Sequence, residues 1–236
     1  MPKYRMADLV IEMNVRYAMT IDSCRPYEIF TDEKPDITVT VTDEDLKTER
    51  ENDPGFPEEY YEFLHVYRRI CGLLPQFDGM LLHSAAVAVD NKAYLFSAVS
   101  GTGKTTHITK WKELFGDRLT VVNGDKPIVR KINGVFHVCG TPWAGKENWQ
   151  TPINVPIAGI CELTRAKENS IKPVSSAEVL SLILNQTLRP EDPVMMIKLL
   201  DLIDALVKEV PCYRLGCNIS LEAAEVSYNG MRKEDI

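Results

Sequence analysis

Apolar and polar residues alternate weakly along "ADLVIEMNV" (7–15) and cleanly along "DITVTVT" (36–42), the period of two that predicts half-exposed strands. From 58 to 70, "EEYYEFLHVYRRI" changes period, and Tyr60, Phe63, Leu64, Tyr67 and Ile70 fall on one face of a predicted helix. The acidic stretch between them, "DEDLKTERENDPGFP" (43–57), ends in Pro-Gly and Pro and reads as a loop. Residues 1 to about 75 thus form an accessory strand-and-helix layer.

A stronger rhythm starts near residue 76. "LLHSAAVAV" and "KAYLF" are two strands joined by Asp90-Asn91, a pair that tolerates positive φ. A helix is expected from about Lys104 to Leu114, followed by the strand "RLTVV" and the short "NGD". "IVRKINGVFHVC" predicts a hairpin turning at Asn133-Gly134. "VPIAGICEL" reads as a buried strand, then come helices near 176–188 and 193–208, the strand "CYRLGC", and a closing helix "SLEAAEVSY" with Ser220 as N-cap. The expected division is a layer over 1–75 and a main unit over 76–236, together one mixed, strand-rich α/β body.

Composition narrows the setting. The formal charge is −7, which disfavours nonspecific binding to nucleic acid or anionic membranes. No apolar run approaches the roughly 18 residues of a membrane span, and Asp8 and Glu12 interrupt any leader-like segment at the start, so a cytoplasmic location is expected. The six cysteines form no C-x-x-C pair and read as buried thiols; the histidines, 65, 83, 107 and 137, show no metal-ligand spacing.

The chemistry lies in "YLFSAVSGTGKTTHITKW" (94–111). In the phosphate-loop frame G-x-x-x-x-G-K-[ST], Ala98 stands where the first glycine belongs, and Val99, Ser100, Gly101, Thr102, Gly103, Lys104 and Thr105 fill the rest. Gly101 and Gly103 let successive backbone N–H groups approach a phosphate, and the helix N-terminus adds partial positive charge. Lys104 reaches the β- and γ-phosphates, the Thr105 hydroxyl ligates Mg²⁺, and Ser100, Thr102 and Thr106 complete the phosphate-binding set. The first position shapes only the strand-to-loop turn, so alanine is tolerated if its φ stays negative. The competing reading is a chance Gly-Ser turn that caps a helix. Asp125, ending the neighbouring strand, is the expected acidic partner for Mg²⁺; the bland alternative is a turn cap before Pro127.

With "LLHSAAVAVDNKAYLFSAVSGTGKTT" before and "LTVVNGDKPIV" after, the chain resembles the catalytic domain of HPr kinase/phosphorylase and its relatives, which share a P-loop fold with phosphoenolpyruvate carboxykinases. The resemblance covers roughly residues 80–165. It implies that His83 is the family's active-site histidine, that Lys104 and Thr105 serve the phosphates and Mg²⁺, and that Asp125 is the second of its paired aspartates. Gly124 stands in place of the first, so with only Asp125 left the base and metal roles cannot both be filled as the family fills them; Asn123 can orient a water or hydroxyl but cannot take a proton. The family's N-terminal domain and its glycine- and glutamate-rich signature are absent. "GTPWAGKENW" (140–149) stands in place of the signature, with Lys146 as a candidate catalytic contact to phosphate or a substrate anion and Trp143 as a candidate pocket wall.

The resemblance therefore implies an ATP- and Mg²⁺-dependent kinase that phosphorylates a hydroxyl, most naturally serine, of a protein, peptide or small molecule other than HPr. It also implies a homo-oligomer, by analogy with the family's hexamers. A second reading stays open: a nucleotide-binding regulatory or scaffold protein whose catalytic pair decayed at Gly124.

Overall fold

Ile37 and Val39 turn inward while Thr38 and Thr40 face out, as the alternation demands. The computed structural model describes residues 1–99 and 101–232. Its first part contains β1 (Lys3–Met6), β2 (Leu9–Asn14), α1 (Ala18–Cys24), β3 (Glu28–Ile29), β4 (Ile37–Thr40), α2 (Asp43–Asn52) and α3 (Glu58–Leu73). The strands order as β3-β1-β2-β4, with β2 and β4 parallel. β1 was not signalled by the sequence because its turn, Ala7-Asp8, lacks glycine and asparagine yet takes φ of 53° and 58°.

Two expectations change here. Residues 43–52 are helix, not loop: Thr42 and Asp45 form a reciprocal capping box, Leu46 is buried, and buried Glu49 pairs with Arg68 of α3. The buried face of α3 is also rotated from the expected one. Tyr67 and Ile70 are buried, but Tyr61, Glu62, His65 and Val66 join them in place of Tyr60, Phe63 and Leu64. Glu62 can be fully buried because its carboxylate accepts from the amides of Arg16 (2.7 Å) and Tyr17 (3.0 Å), at the entry to α1.

The rest of the chain comprises β5 (Gly79–Leu81), β6 (Ala85–Val89), β7 (Lys92–Ser97), α4 (Lys104–Phe115), β8 (Leu119–Asn123), β9 (Ile128–Ile132), β10 (Val135–Cys139), β11 (Asn154–Arg165), β12 (Ser170–Pro173), α5 (Ser176–Asn185), α6 (Pro193–Glu209), β13 (Cys212–Cys217) and α7 (Leu221–Met231). Among the described residues these strands form a nine-stranded sheet, in the order β5-β9-β10-β11-β7-β6-β8, with β13 on β11 and β12 on β13. β11 runs parallel to both β7 and β13, while its first residues pair antiparallel with β10, so one long strand links the two parts of the sheet. Both expected turns have positive φ: Asp90 and Asn91 at 51° and 58°, Asn133 and Gly134 at 49° and 82°.

One face of this sheet buries Leu95, Val122, Val138 and Ile160 against α5 and α6 residues such as Ile183 and Ile203. The other buries Phe96, Cys161 and Leu215 with Ile108 and Trp111 of α4 and Ala224 of α7. A third cluster joins the small sheet to the large one: Met6, Ile11, Val39 and Ile70 pack with Leu81, Ile128, Cys139 and Trp143. The fold is mixed α/β and strand-rich. Five of the six cysteines are buried, Cys217 is half-buried, and all are free thiols. Among the described residues no helix is long and apolar enough to cross a membrane.

Candidate functional site

The phosphate loop joins β7 to α4, as its motif requires. Ala98 is buried in the core under α4 and does not take a positive φ, so the missing first glycine demands nothing an alanine cannot supply. Gly101 (φ 78°) and Gly103 (φ 121°) do take left-handed conformations, and an added Cβ at either meets nothing within 4 Å. The need for glycine there is conformational, not steric. Thr102 closes the turn by donating from its amide (3.1 Å) and hydroxyl (2.7 Å) to the Val99 carbonyl. Ser100 lies outside the described residues. Gly103 is the N-cap of α4, Lys104 its first residue, and Thr105 and Thr106 are exposed on its first turn.

Strand order decides what surrounds the loop. β6 lies beside β7 and β8 beside β6, so His83, just before β6, and Asp125, just after β8, arrive on one flank of the loop. His83 Nε2 is 3.0 Å from Asp125 Oδ1, and Lys104 Nζ is 3.4 Å from His83 Nε2 and 3.4 Å from the Ala98 carbonyl. The His83 backbone is held from both sides: its amide donates to Gln186 (2.7 Å) and its carbonyl accepts from the Ser97 hydroxyl (3.1 Å). The Ser84 amide donates to the Asp125 carbonyl at 3.0 Å, tying the two flanks together.

Burial alone would raise the Asp125 carboxyl, but the hydrogen bond from His83 and the charge of Lys126, 3.3 Å from Oδ2, bring it below the usual carboxylate range. Asp125 is therefore ionised at neutral pH. Burial lowers the Lys104 ammonium below its ordinary value, an effect the Asp125 charge opposes. Its hydrogen bond to the Ala98 carbonyl is long at 3.4 Å and His83 Nε2 lies equally far, which leaves its donors available to an anion.

The turn carrying Asp125 is built by Asn123, not by chance. Its Oδ1 accepts from the amides of Asp125 (2.8 Å) and Lys126 (2.7 Å), and its Nδ2 donates to the Thr141 carbonyl and hydroxyl at 3.0 Å. Asn123 is fully buried and spent on this Asx turn, so it does not orient a water or hydroxyl as expected. Gly124 packs under the 140–149 loop: an added Cβ would lie 3.1 Å from the Ala144 carbonyl. A side chain at 124 would require the Ala144 carbonyl to give by a few tenths of an ångström. Gly145, at φ 74°, in turn crosses Asp125 so closely that a Cβ would sit 3.1 Å from the aspartate's own.

Two residues of that loop depart from expectation. Trp143 does not wall a pocket; it is buried among Phe63 and Tyr67 of α3, with ring centroids 6.2 and 5.3 Å away. The structure does not bring the Lys146 side chain to Lys104, His83 or Asp125: it is 90% exposed, and its nearest carboxylate is Glu147 at 3.8 Å. His107 is buried in packing under the loop, and its Nε2 accepts from Trp111 Nε1 at 3.0 Å. Lys126 was missed as a site residue; Arg165 was weighed from the sequence, with Arg130 and Lys131, as a charge near the site whose ordinary reading is solvation. Arg165, ending β11, donates to the loop carbonyls of Gly101 (2.5 Å) and Thr102 (3.4 Å). The only sequence signal for Lys126 was its place beside Asp125; for Arg165, sixty residues on, the signal is the parallel pairing of β11 with β7, which no local pattern reveals.

Among the described residues no group of three or more His, Cys, Asp or Glu side chains is placed to hold a metal ion. Oxygens of this region include the exposed Thr105 hydroxyl on the first turn of α4 and the Asp125 carboxylate beside His83.

No protein-family model and no curated protein matches the chain. Among solved structures, the HPr(Ser) kinase/phosphatase from Coxiella burnetii aligns with a TM-score of 0.38 at 10% identity, over 63% of this chain and 94% of that one. At that level no residue and no activity carries over.

Proposed function

We propose that the chain is an ATP- and Mg²⁺-dependent kinase that transfers the γ-phosphate to a hydroxyl, most naturally a serine, of a protein, peptide or small molecule. The observation that carries this reading is the meeting of Lys104, His83 and Asp125 within 3.0–3.4 Å at the N-terminus of α4. Phosphoryl transfer asks for held phosphates, neutralised charge and an in-line acceptor, and little more. The amides of the loop and the Lys104 ammonium hold the phosphates. Asp125, kept ionised, accepts the hydrogen bond of the acceptor hydroxyl and takes its proton as the new O–P bond forms and the bond to the leaving ADP oxygen breaks. His83 fixes the Asp125 carboxylate. Thr105 and Asp125 are hard oxygen donors of the kind Mg²⁺ takes, and a site of one carboxylate completed by substrate phosphates is usual for that ion. Bound there, Mg²⁺ would neutralise charge on the β- and γ-phosphates. Lys146, far out in solvent beside the crossing at Gly145, is assigned to an anionic group of the acceptor.

The second reading, a nucleotide-binding regulator, draws on the packing of Gly124, which leaves one carboxylate where two would divide base and metal duties. γ-Labelled ATP with Mg²⁺ and a fractionated extract of the source cells separates the two. Label entering a fraction with wild type but not with Lys104→Ala or Asp125→Asn is the expected result. ATP binding without any labelled fraction would give the regulatory reading the lead.

A further inference from the structure

Arg165 ends β11 without an acidic partner. Among the described residues no carboxylate pairs with its guanidinium, which lies instead on the phosphate loop, donating to the carbonyls of Gly101 (2.5 Å) and Thr102 (3.4 Å). Its own backbone is fixed: Arg165 pairs with Cys217 of β13, and the Ala166 amide donates to the Cys217 carbonyl at 2.9 Å. A charged fork on a rigid strand end thus grips a loop whose two glycines, 101 and 103, leave it free to rearrange. We propose that Arg165 is a positioning residue: it holds the loop in the form that receives an anion, without touching the anion itself. This rests on the nucleotide reading above.

The means is the planarity of the peptide bond. In a trans peptide the carbonyl of one residue and the amide of the next point in opposite directions. Drawing the Gly101 carbonyl toward Arg165 therefore sends the Thr102 amide the other way, onto the Val99 carbonyl at 3.1 Å, which closes the turn. Drawing out the Thr102 carbonyl turns the Gly103 amide away from Arg165 in the same manner. The carbonyls of Val99, Gly101 and Thr102 are then all occupied. The amides of Gly101, Gly103, Lys104 and Thr105 have no partner among the described residues. Such a row of unpaired amides is what a phosphate group requires. Without Arg165 the plane between Gly101 and Thr102 can turn over at little cost, because glycine accepts φ of either sign. The Gly101 carbonyl would then face the anion and repel it.

The test is calorimetry on the full chain with ATP and with inorganic tripolyphosphate, comparing wild type, Arg165→Ala and Arg165→Lys. The side chain is exposed, so neither change threatens the fold. Arg165→Ala should weaken both ligands alike, by about tenfold, because the lost charge-assisted hydrogen bonds act through the loop that both ligands share. Lysine keeps the charge but not the fork, so Arg165→Lys should recover less than about threefold. The salt dependence of tripolyphosphate affinity should keep its slope in Arg165→Ala, because a group that does not touch the anion adds little to it. In the ligand-free chain, hydrogen exchange of the Thr102 amide, followed by NMR, should be at least about fivefold faster in Arg165→Ala. Affinities within about twofold of wild type, or unchanged Thr102 exchange, would reduce Arg165 to a solvated charge and overturn the proposal. Full recovery with lysine, or a shallower salt slope, would overturn it in favour of direct attraction between Arg165 and the anion. If wild type binds neither ligand in a Lys104-dependent way, the nucleotide reading itself fails and takes this inference with it.

Discussion

Nε2 of His83 faces two partners that it cannot serve at once. With Asp125 ionised, Nε2 carries the hydrogen and donates to Oδ1, so Lys104, 3.4 Å away, meets a nitrogen with no lone pair to offer. Lys104 is thus a half-buried cation with weak local compensation. Its depressed pKa means that the unfolded chain binds its proton more tightly; folding loses stability on this group at neutral pH and regains it only as pH rises through the folded value toward about 10.4. Lys104→Met should therefore raise Tm by about 1–3 °C while abolishing nucleotide binding. A fall in Tm would show that its contacts with Ala98 and the Asp125 charge outweigh its desolvation. His107 offers a cleaner titration. Burial takes its pKa down to about 4, so the unfolded state holds the extra proton between that value and about 6.5. Stability from this group is full above pH 6.5 and falls with pH, by about 2 kcal/mol between pH 7 and pH 5. His107→Gln should lose about that much less over the same interval in urea titrations. An unchanged pH profile would mean that the ring is not neutral in the fold.

Among the elements, α2 shows most clearly why a pattern misleads. Its composition is acidic and its single buried leucine, Leu46, gives no apolar stripe, so charge and the Pro-Gly that follows suggested a loop. The helix exists because the Thr42–Asp45 capping box serves its first turn and because Glu49 reaches His65 and, 19 residues on, Arg68 of α3, partners that no local window relates. Thr42→Ala should cost about 1 kcal/mol and lower Tm by roughly 2–4 °C, with a loss of helix signal confined to this element. No change in Tm would put the stability of α2 in its α3 contacts alone. The β6–β7 and β9–β10 hairpins of the large sheet were legible because their turns carry Asp-Asn and Asn-Gly; β12 was not read at all, and "LLHSAAVAV", read as one strand, is divided between β5 and β6. Ser220 was legible as a cap by position only: its side chain makes no cap bond, and its hydroxyl accepts from Asn169 instead at 3.1 Å. The candidate site was legible wherever it is local, as in the loop and the Asn-Gly-Asp turn. It was illegible where strand order alone makes neighbours, as for Arg165, and where a side chain's direction decides, as for Trp143 and Lys146.

For the whole molecule, the decisive question is whether the small sheet is an attachment or part of the core. Its cluster is not closed on itself: Leu81, Ile128, Cys139 and Trp143 of the larger unit share it with residues such as Met6, Ile11 and Tyr67. Polar ties cross the same boundary. Arg130 donates to the carbonyl of Ala7 (2.7 Å), Asn154 donates to Asp8 at 2.8 Å, and Tyr27 reaches Gln150 at 2.5 Å. Removing residues 1–75 would uncover the indole of Trp143 and leave the Arg130 guanidinium without one carbonyl. The segment from 140 to 150 would lose its packing on α3, and that segment is what covers Gly124 and crosses Asp125. The consequence reaches the site. A chain of residues 76–236 should be poorly soluble or unfold without a cooperative transition, and any soluble fraction should bind nucleotide but fail to transfer phosphate, because Lys104 sits in β7–α4 geometry while Asp125 depends on the loop above it. The full chain should unfold in one transition, with near-ultraviolet signals of Trp143 and of Trp111 disappearing together. If 76–236 instead folds with the Tm of the full chain, the layer is a separate unit and its contact with Trp143 is dispensable.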